Sequence, residues 1–168
     1  MRSFGSRAGQ APRERSPEEN ERAALRTALN ILDARDVPAA RLRQKLRERG
    51  YDRDITDRVI EALRLKGYLQ EERMAEAAVR YLLETKLLGH ARILMELRER
   101  GFSPDTIDGI DFDSPPYSEL DWEEAKRKLY RRMGSEDSQK TYAAFLRHGW
   151  NLTDYKAAVR AAEEEEEE

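Results

Sequence analysis

The side chains able to do acid–base or nucleophilic chemistry are few and scattered. The only histidines are His90 and His148, far apart in the chain, and there is no cysteine. A histidine becomes a catalytic base or metal ligand when a carboxylate or further ligands are set beside it. Neither has such a neighbour in a recognisable motif, and both follow helix stops, so both read as polar helix-end residues. Glu71 and Glu72 are adjacent, so they cannot face one another on a helix. They read as first-turn acids that complement the helix dipole. No Gly-x-x-x-x-Gly-Lys or Gly-x-Gly-x-x-Gly cradle is present, nor a nucleophile elbow. The expectation is a non-enzymatic protein with no catalytic, cofactor-binding or metal site.

Basic side chains are the remaining chemistry. Arg41, Lys45 and Arg49 recur every fourth residue and share one helix face, with Arg43 and Arg47 in the next row. Arg92 and Arg98 lie on another helix, and Arg127, Lys128, Arg131 and Arg132 cluster on a third. Glu48 and Glu99 stand among them, so part of this charge serves intrahelical pairs. The remainder suits a surface facing an anionic partner.

Helices must carry these rows. Ser16-Pro17-Glu18-Glu19 reads as a capping box with proline at the first helical position. Leu25, Ala28, Leu29 and Leu32 follow at helical spacing. Val37-Pro38 interrupts, Leu42 and Leu46 mark a second core face, and Gly50 stops it. Ile55, Val59 and Leu63 mark a third helix, ended by Gly67. The pattern restarts with the stripe Met74, Ala77, Ala78, Tyr81 and Leu82 of a fourth helix, ending near Gly89. Ile93 and Leu97 follow up to Gly101, then Ser103-Pro104 caps a short stretch through Ile107 and Ile110. Asp111–Tyr117 holds two prolines and reads as a loop. Ser118 is expected to cap a seventh helix with stripe Trp122, Ala125, Leu129 and Met133. An eighth carries Tyr142, Phe145 and Leu146, and a ninth Tyr155, Ala158, Val159 and Ala162. No run alternates as a strand would.

A repeat runs through this pattern. Leu46-Arg-Glu-Arg-Gly50-Tyr51 returns as Leu97-Arg-Glu-Arg-Gly101-Phe102, and more loosely as Phe145-Leu-Arg-His-Gly149-Trp150. In each, glycine stops the helix, and the aromatic after it packs back as a core closer. Val59, Ile110 and Ala158 stand at one offset beyond the glycines. The sequence therefore predicts an all-α protein of three tandem three-helix repeats forming an elongated, curved molecule. The divisions are a disordered basic leader (1–16), repeats over 17–67 and 68–110, a loop (111–117), a third repeat (118–162) and an acidic tail (163–168).

Composition agrees with an extended helical body. Charged residues make up 39% of the 168, as do hydrophobic ones, against about 25% charged in ordinary globular domains. The net charge of −3 conceals blocks, because the six tail glutamates outweigh a mildly basic body and a basic leader. Such asymmetry points to a charged partner; the tail could compete with nucleic acid for the basic surface. No apolar run approaches the roughly 18 residues of a membrane span, and the N-terminus lacks a secretory apolar core. No heptad seam is present, so a monomer is expected.

The residues from Ala24 to Ala162 resemble the RecX family of recombinase regulators. The resemblance is sharpest over Gly67-Tyr-Leu-Gln-Glu-Glu-Arg-Met-Ala-Glu-Ala-Ala-Val-Arg80 and over Gly89-His-Ala-Arg-Ile-Leu-Met-Glu-Leu-Arg-Glu-Arg-Gly101. Gln70 and Met74 replace the usual acidic residue and phenylalanine, and Val37-Pro38 replaces a serine or threonine cap. The resemblance implies a cytoplasmic, non-enzymatic protein that binds the bacterial RecA filament on single-stranded DNA. It would restrain ATP hydrolysis, strand exchange and coprotease activity, and so modulate DNA repair, recombination and the SOS response. The alternative is a helical-repeat protein that binds DNA directly, without the recombinase. The candidate contact residues are Arg41, Arg43, Lys45, Arg49, Arg92, Arg98, Arg127, Lys128 and Arg131.

Overall fold

The computed structural model describes residues 15–134 and 138–167; the expected leader, apart from Arg15 and Ser16, lies outside them. Among the described residues there are nine α-helices and no strand. α1 (Pro17–Ala34) opens as its sequence dictates. The Ser16 hydroxyl accepts from the Glu19 N–H at 3.2 Å while the Glu19 carboxylate accepts from the Ser16 N–H at 2.9 Å. α2 (Ala39–Glu48) and α3 (Arg53–Leu65) complete the first triplet. α4 (Glu71–Glu84), α5 (His90–Arg100) and the short α6 (Pro104–Asp108) form the second. α7 (Trp122–Met133), α8 (Ser138–Arg147) and α9 (Leu152–Glu167) form the third.

The triplets contribute to one continuous apolar core. Leu42, Leu46, Val59 and Leu63 fill the first, Val79, Leu82, Ile93 and Leu97 the second, and Leu129, Phe145 and Ala158 the third. Removing each large side chain from water is worth about 1.5–3 kcal/mol. Helices touch mainly within their triplet, and the principal contact between the second and third is α4 on α7. The three stop glycines share one geometry. Gly50, Gly101 and Gly149 have φ of +88°, +90° and +85°. The next N–H then turns back, Tyr51 to the Leu46 carbonyl at 3.2 Å, Phe102 to Leu97 at 3.1 Å and Trp150 to Phe145 at 3.0 Å. This bond satisfies a carbonyl that the helix end would leave unpaired.

Several details depart from the sequence expectation, among them Met133 and Leu146 of the expected α7 and α8 stripes, which are exposed. α7 is capped by Asp121, which accepts from the Glu124 N–H at 2.8 Å, while Tyr117–Glu119 forms a separate 3-10 turn. Ser118 is therefore not its cap: three residues beyond Asp121 stands a backbone N–H its carboxylate can reach. α4 ends at Glu84, and Gly89 caps α5 instead of ending α4. The core side of α4 is Met74, Ala75, Val79, Leu82 and Leu83, so Met74 and Leu82 of the expected stripe are buried, whereas its Ala77 and Tyr81 are exposed. Ile110 lies past the end of α6 and is half-buried. Finally, α9 runs on through Ala162 into the glutamates as far as Glu167.

Candidate partner-binding surface

The triplets are joined twice by one contact. The C-terminal glycine of the second helix of one triplet meets the N-terminus of the second helix of the triplet before it. A Cβ on Gly101 would lie 3.7 Å from the Arg41 nitrogen, and one on Gly149 only 2.5 Å from the Arg92 nitrogen. Arg41 and Arg92 are each the third residue of their helix, α2 and α5. The repeat thus carries an arginine to the same place on successive units. Gly50 has no triplet before it, and a Cβ there would meet nothing within 4 Å.

The two joints use different chemistry at corresponding positions. At the first stands Glu71, the first residue of α4 and only 7% exposed. Its carboxylate accepts from Ala39 N–H at 2.9 Å, from Ser103 N–H at 3.0 Å and from the Thr106 hydroxyl at 3.2 Å. It therefore caps α2, which Pro38 leaves without a side-chain cap, and ties it to the start of α6. Burial pushes the Glu71 carboxyl up, but the hydrogen bonds from Ser103, Ala39 and Thr106 outweigh it and hold the group below its usual range. Glu71 does stand in the first turn of α4, as read from the sequence, and this joint is a further role.

At the second joint Trp122, the first residue of α7, takes the corresponding place. His90 stacks on Phe112 with centroids 4.1 Å apart and meets Trp122 edge-on at 4.4 Å. Trp150 donates its indole N–H to the Leu87 carbonyl at 2.9 Å, and Gly89 N–H donates to the His148 carbonyl at 2.8 Å. Lys126, 7% exposed, lies over the Trp150 ring and pairs with Glu123 at 2.6 Å and Asp154 at 3.4 Å. Partial burial lowers the His90 pKa, Asp154 and Asp113 oppose that, and Lys126 adds to it. His90 is a joint residue rather than a helix-end ornament. His148 does close α8, its Nδ1 2.8 Å from the Ala144 carbonyl.

The candidate cations divide by pairing. Arg43 is turned towards α3 by Asp57 at 2.9 Å. Arg92 is held by Glu96 at 2.7 Å. Arg127, Lys128 and Arg131 converge on Glu124 at 3.0, 3.7 and 3.5 Å. Arg98 is exposed on α5. Among the described residues no ion pair within 4.0 Å is formed by Arg41, Lys45 or Arg49. Arg41 and Lys45 line a groove of about 800 Å³ between the first two triplets, into which Arg35 and Arg100 also reach. Lys45, Arg35 and Arg49 line a shallower furrow between α1 and α2 that has no acidic wall. Sequence reading missed Arg35 and Arg100, because neither shares a helix row with Arg41.

Tandem three-helix units linked by a repeated joint define a helical-repeat protein. The comparisons place it more closely. Residues 24–63 match the first three-helix domain of RecX and residues 71–109 the second. A regulatory protein RecX of Halorhodospira halophila is 37% identical over 147 residues, spanning 83% of this chain and 88% of the relative. Another, of Trichlorobacter lovleyi, is 33% identical over 112 residues, spanning 67% and 72%. The crystal structure of RecX from Lactobacillus salivarius superposes with a TM-score of 0.73 over 86% of this chain and 97% of that one, at 17% identity, which establishes the shared fold. The chain belongs to the RecX family of regulatory proteins, which are regulators and not enzymes. No helix among the described residues is long and apolar enough to cross a membrane.

Proposed function

We propose that this chain binds RecA recombinase filaments on single-stranded DNA in the cytoplasm and inhibits ATP hydrolysis and strand exchange. The observation that carries the reading is the repeated joint, which sets Arg41 and Arg92 at equal places on successive units. A filament is itself a helical repeat of one subunit. A tandem array can engage neighbouring subunits at once, so that several weak contacts act together. Family membership supports the same reading, because its relatives are named regulatory proteins.

The test is a titration into preformed filaments on single-stranded DNA, following ATP hydrolysis, with binding to the bare DNA measured alongside. Inhibition is expected at concentrations at least tenfold below those that coat bare DNA. The ridge of Arg41, Lys45 and Arg49, which forms no ion pair among the described residues although Arg41 donates to Gln44 and Arg49 to the Lys45 carbonyl, favours direct DNA binding as the second reading. Inhibition that only tracks DNA coating, with affinity falling steeply with salt, would establish that second reading instead. Reversing all three charges is expected to leave the far-UV circular dichroism unchanged and to weaken inhibition.

A further inference from the structure

Six cations gather along one face of the first triplet. Three adjoining cavities of about 670, 410 and 240 Å³ share residues and make one furrow along α1 and α2. Arg15, Arg22 and Arg26 line one stretch of it, and Arg35, Lys45 and Arg49 the other. None of the six forms an ion pair within 4.0 Å among the described residues. Two acids line the furrow, and both already serve as helix caps. Glu19 accepts from the Ser16 N–H and Asp52 from the Ile55 N–H, each at 2.9 Å. The floor is polar, where the Thr27 and Tyr51 hydroxyls meet at 3.1 Å. Positive charge is therefore in excess, and the shape and floor suit an extended anion rather than an apolar helix face.

The matching charge is at the other end of the chain. Residues 163–168 are six consecutive glutamates, and α9 stays helical as far as Glu167. Glu163, Glu164 and Glu165 are exposed and form no ion pair within 4.0 Å among the described residues. They also stand at the negative end of the helix dipole. Crowded like charge is unfavourable in both places, and bringing the two together relieves both. Within one molecule they are apart, since α1 packs on α2 and α3 whereas α9 packs on α7 and α8. We propose that the furrow receives the glutamate end of α9 from a second copy of this chain, so that free molecules associate head to tail. The contact is heterologous, and unless its rotation closes a ring, each copy leaves a furrow and a tail open for the next. A single exposed ion pair is worth little, but here cations on both helices surround one acidic end. The association is electrostatic, and the monomer expected from the sequence is the state at high salt. It is independent of the recombinase reading.

The test is sedimentation velocity of the full chain from micromolar to hundreds of micromolar. Wild type is expected to associate with rising concentration at low salt and to dissociate in about 0.5 M salt, where the screening length is only a few ångströms. Two variants separate the halves of the contact. Arg22→Glu/Arg26→Glu reverses part of the furrow and keeps the tail, whereas deletion of residues 163–168 keeps the furrow. Arg22 and Arg26 are exposed, so an unchanged melting temperature is expected. Each variant alone is expected to raise the dissociation constant at least tenfold. Mixed, they restore one intact contact and should form a one-to-one pair. Wild type that stays monomeric at low salt, variants that associate as wild type does, or a mixture that stays monomeric overturns the proposal. So does a monomeric wild type whose binding to oligodeoxythymidylate falls tenfold in Arg22→Glu/Arg26→Glu, which makes nucleic acid the occupant. Filament inhibition is read separately, so failure of the recombinase reading leaves the head-to-tail result standing.

Discussion

Glu71 holds together what the sequence left open. Pro38 has no N–H, and α2 begins without a serine or threonine, so its first donors need an outside acceptor. One buried carboxylate supplies it and serves the start of α6 as well. Glu71→Ala leaves the Ala39 and Ser103 N–H groups without that acceptor, which should cost about 2–5 kcal/mol in urea unfolding. Glu71→Gln keeps one acceptor oxygen and should cost less. Because the folded pKa is lowered, the contribution is full above the ordinary carboxylate range and is lost as pH falls through the folded value. Wild type should therefore lose stability on acidification more steeply than Glu71→Gln; parallel pH profiles of the two would refute the clamp. His90 has the same sign, because the fold favours its neutral form. The second joint should loosen as pH falls below the ordinary histidine range, and His90→Phe should remove part of that dependence, read by tryptophan fluorescence.

Helix positions followed from local rules that depend on few neighbours. The capping box at Ser16, the stop glycines and the paired leucines of α2 and α5 act within one or two turns, so spacing alone places them. The face of α4 followed only in part: Met74 and Leu82 of the expected stripe are buried, but Ala77 and Tyr81 read as well beside them as Ala75 and Val79, which are the ones in the core. Which pair is core depends on where α5 and α7 lie. The cap of α7 was missed for a related reason, since Ser118 and Asp121 are both good caps and only the 3-10 turn between them decides. The candidate cations were legible as rows, but their pairing was not, because Asp57 reaches Arg43 from another helix. The end of α9 gives a prediction of its own. Glu163, Glu164 and Glu165 sit at the negative end of the helix dipole with no basic residue in the last turn. Replacing them by lysine should stabilise the helix end by about 0.3–1 kcal/mol each at low ionic strength. The readout is the rise in helicity by circular dichroism, and its shrinkage in 0.5 M salt is the check that the effect is electrostatic.

In the whole molecule the repeated joint makes stability a property of neighbours. An array of units that touch mainly their neighbours has stability close to a sum of unit and joint terms. Two glycines with nearly the same backbone separate the terms. Gly50 and Gly149 both have left-handed φ, but only Gly149 lies against another triplet. Gly50→Ala should cost about 1–2 kcal/mol, the conformational penalty alone. Gly149→Ala adds a methyl driven into the Arg92 backbone, and overpacking of that kind costs about 1–3 kcal/mol more. The location of that loss can be read directly. Both tryptophans of the chain, Trp122 and Trp150, lie at the second joint, whereas far-UV circular dichroism sums all the helices. Gly149→Ala should therefore lower the midpoint of the fluorescence transition more than that of the dichroism transition. Gly50→Ala should spare the fluorescence midpoint, because the lesion lies two units away. If both variants shift both signals together, the three triplets unfold as one cooperative body. The joints would then be part of a single core, and the regulator would meet its partner as a rigid template rather than as units coupled in series.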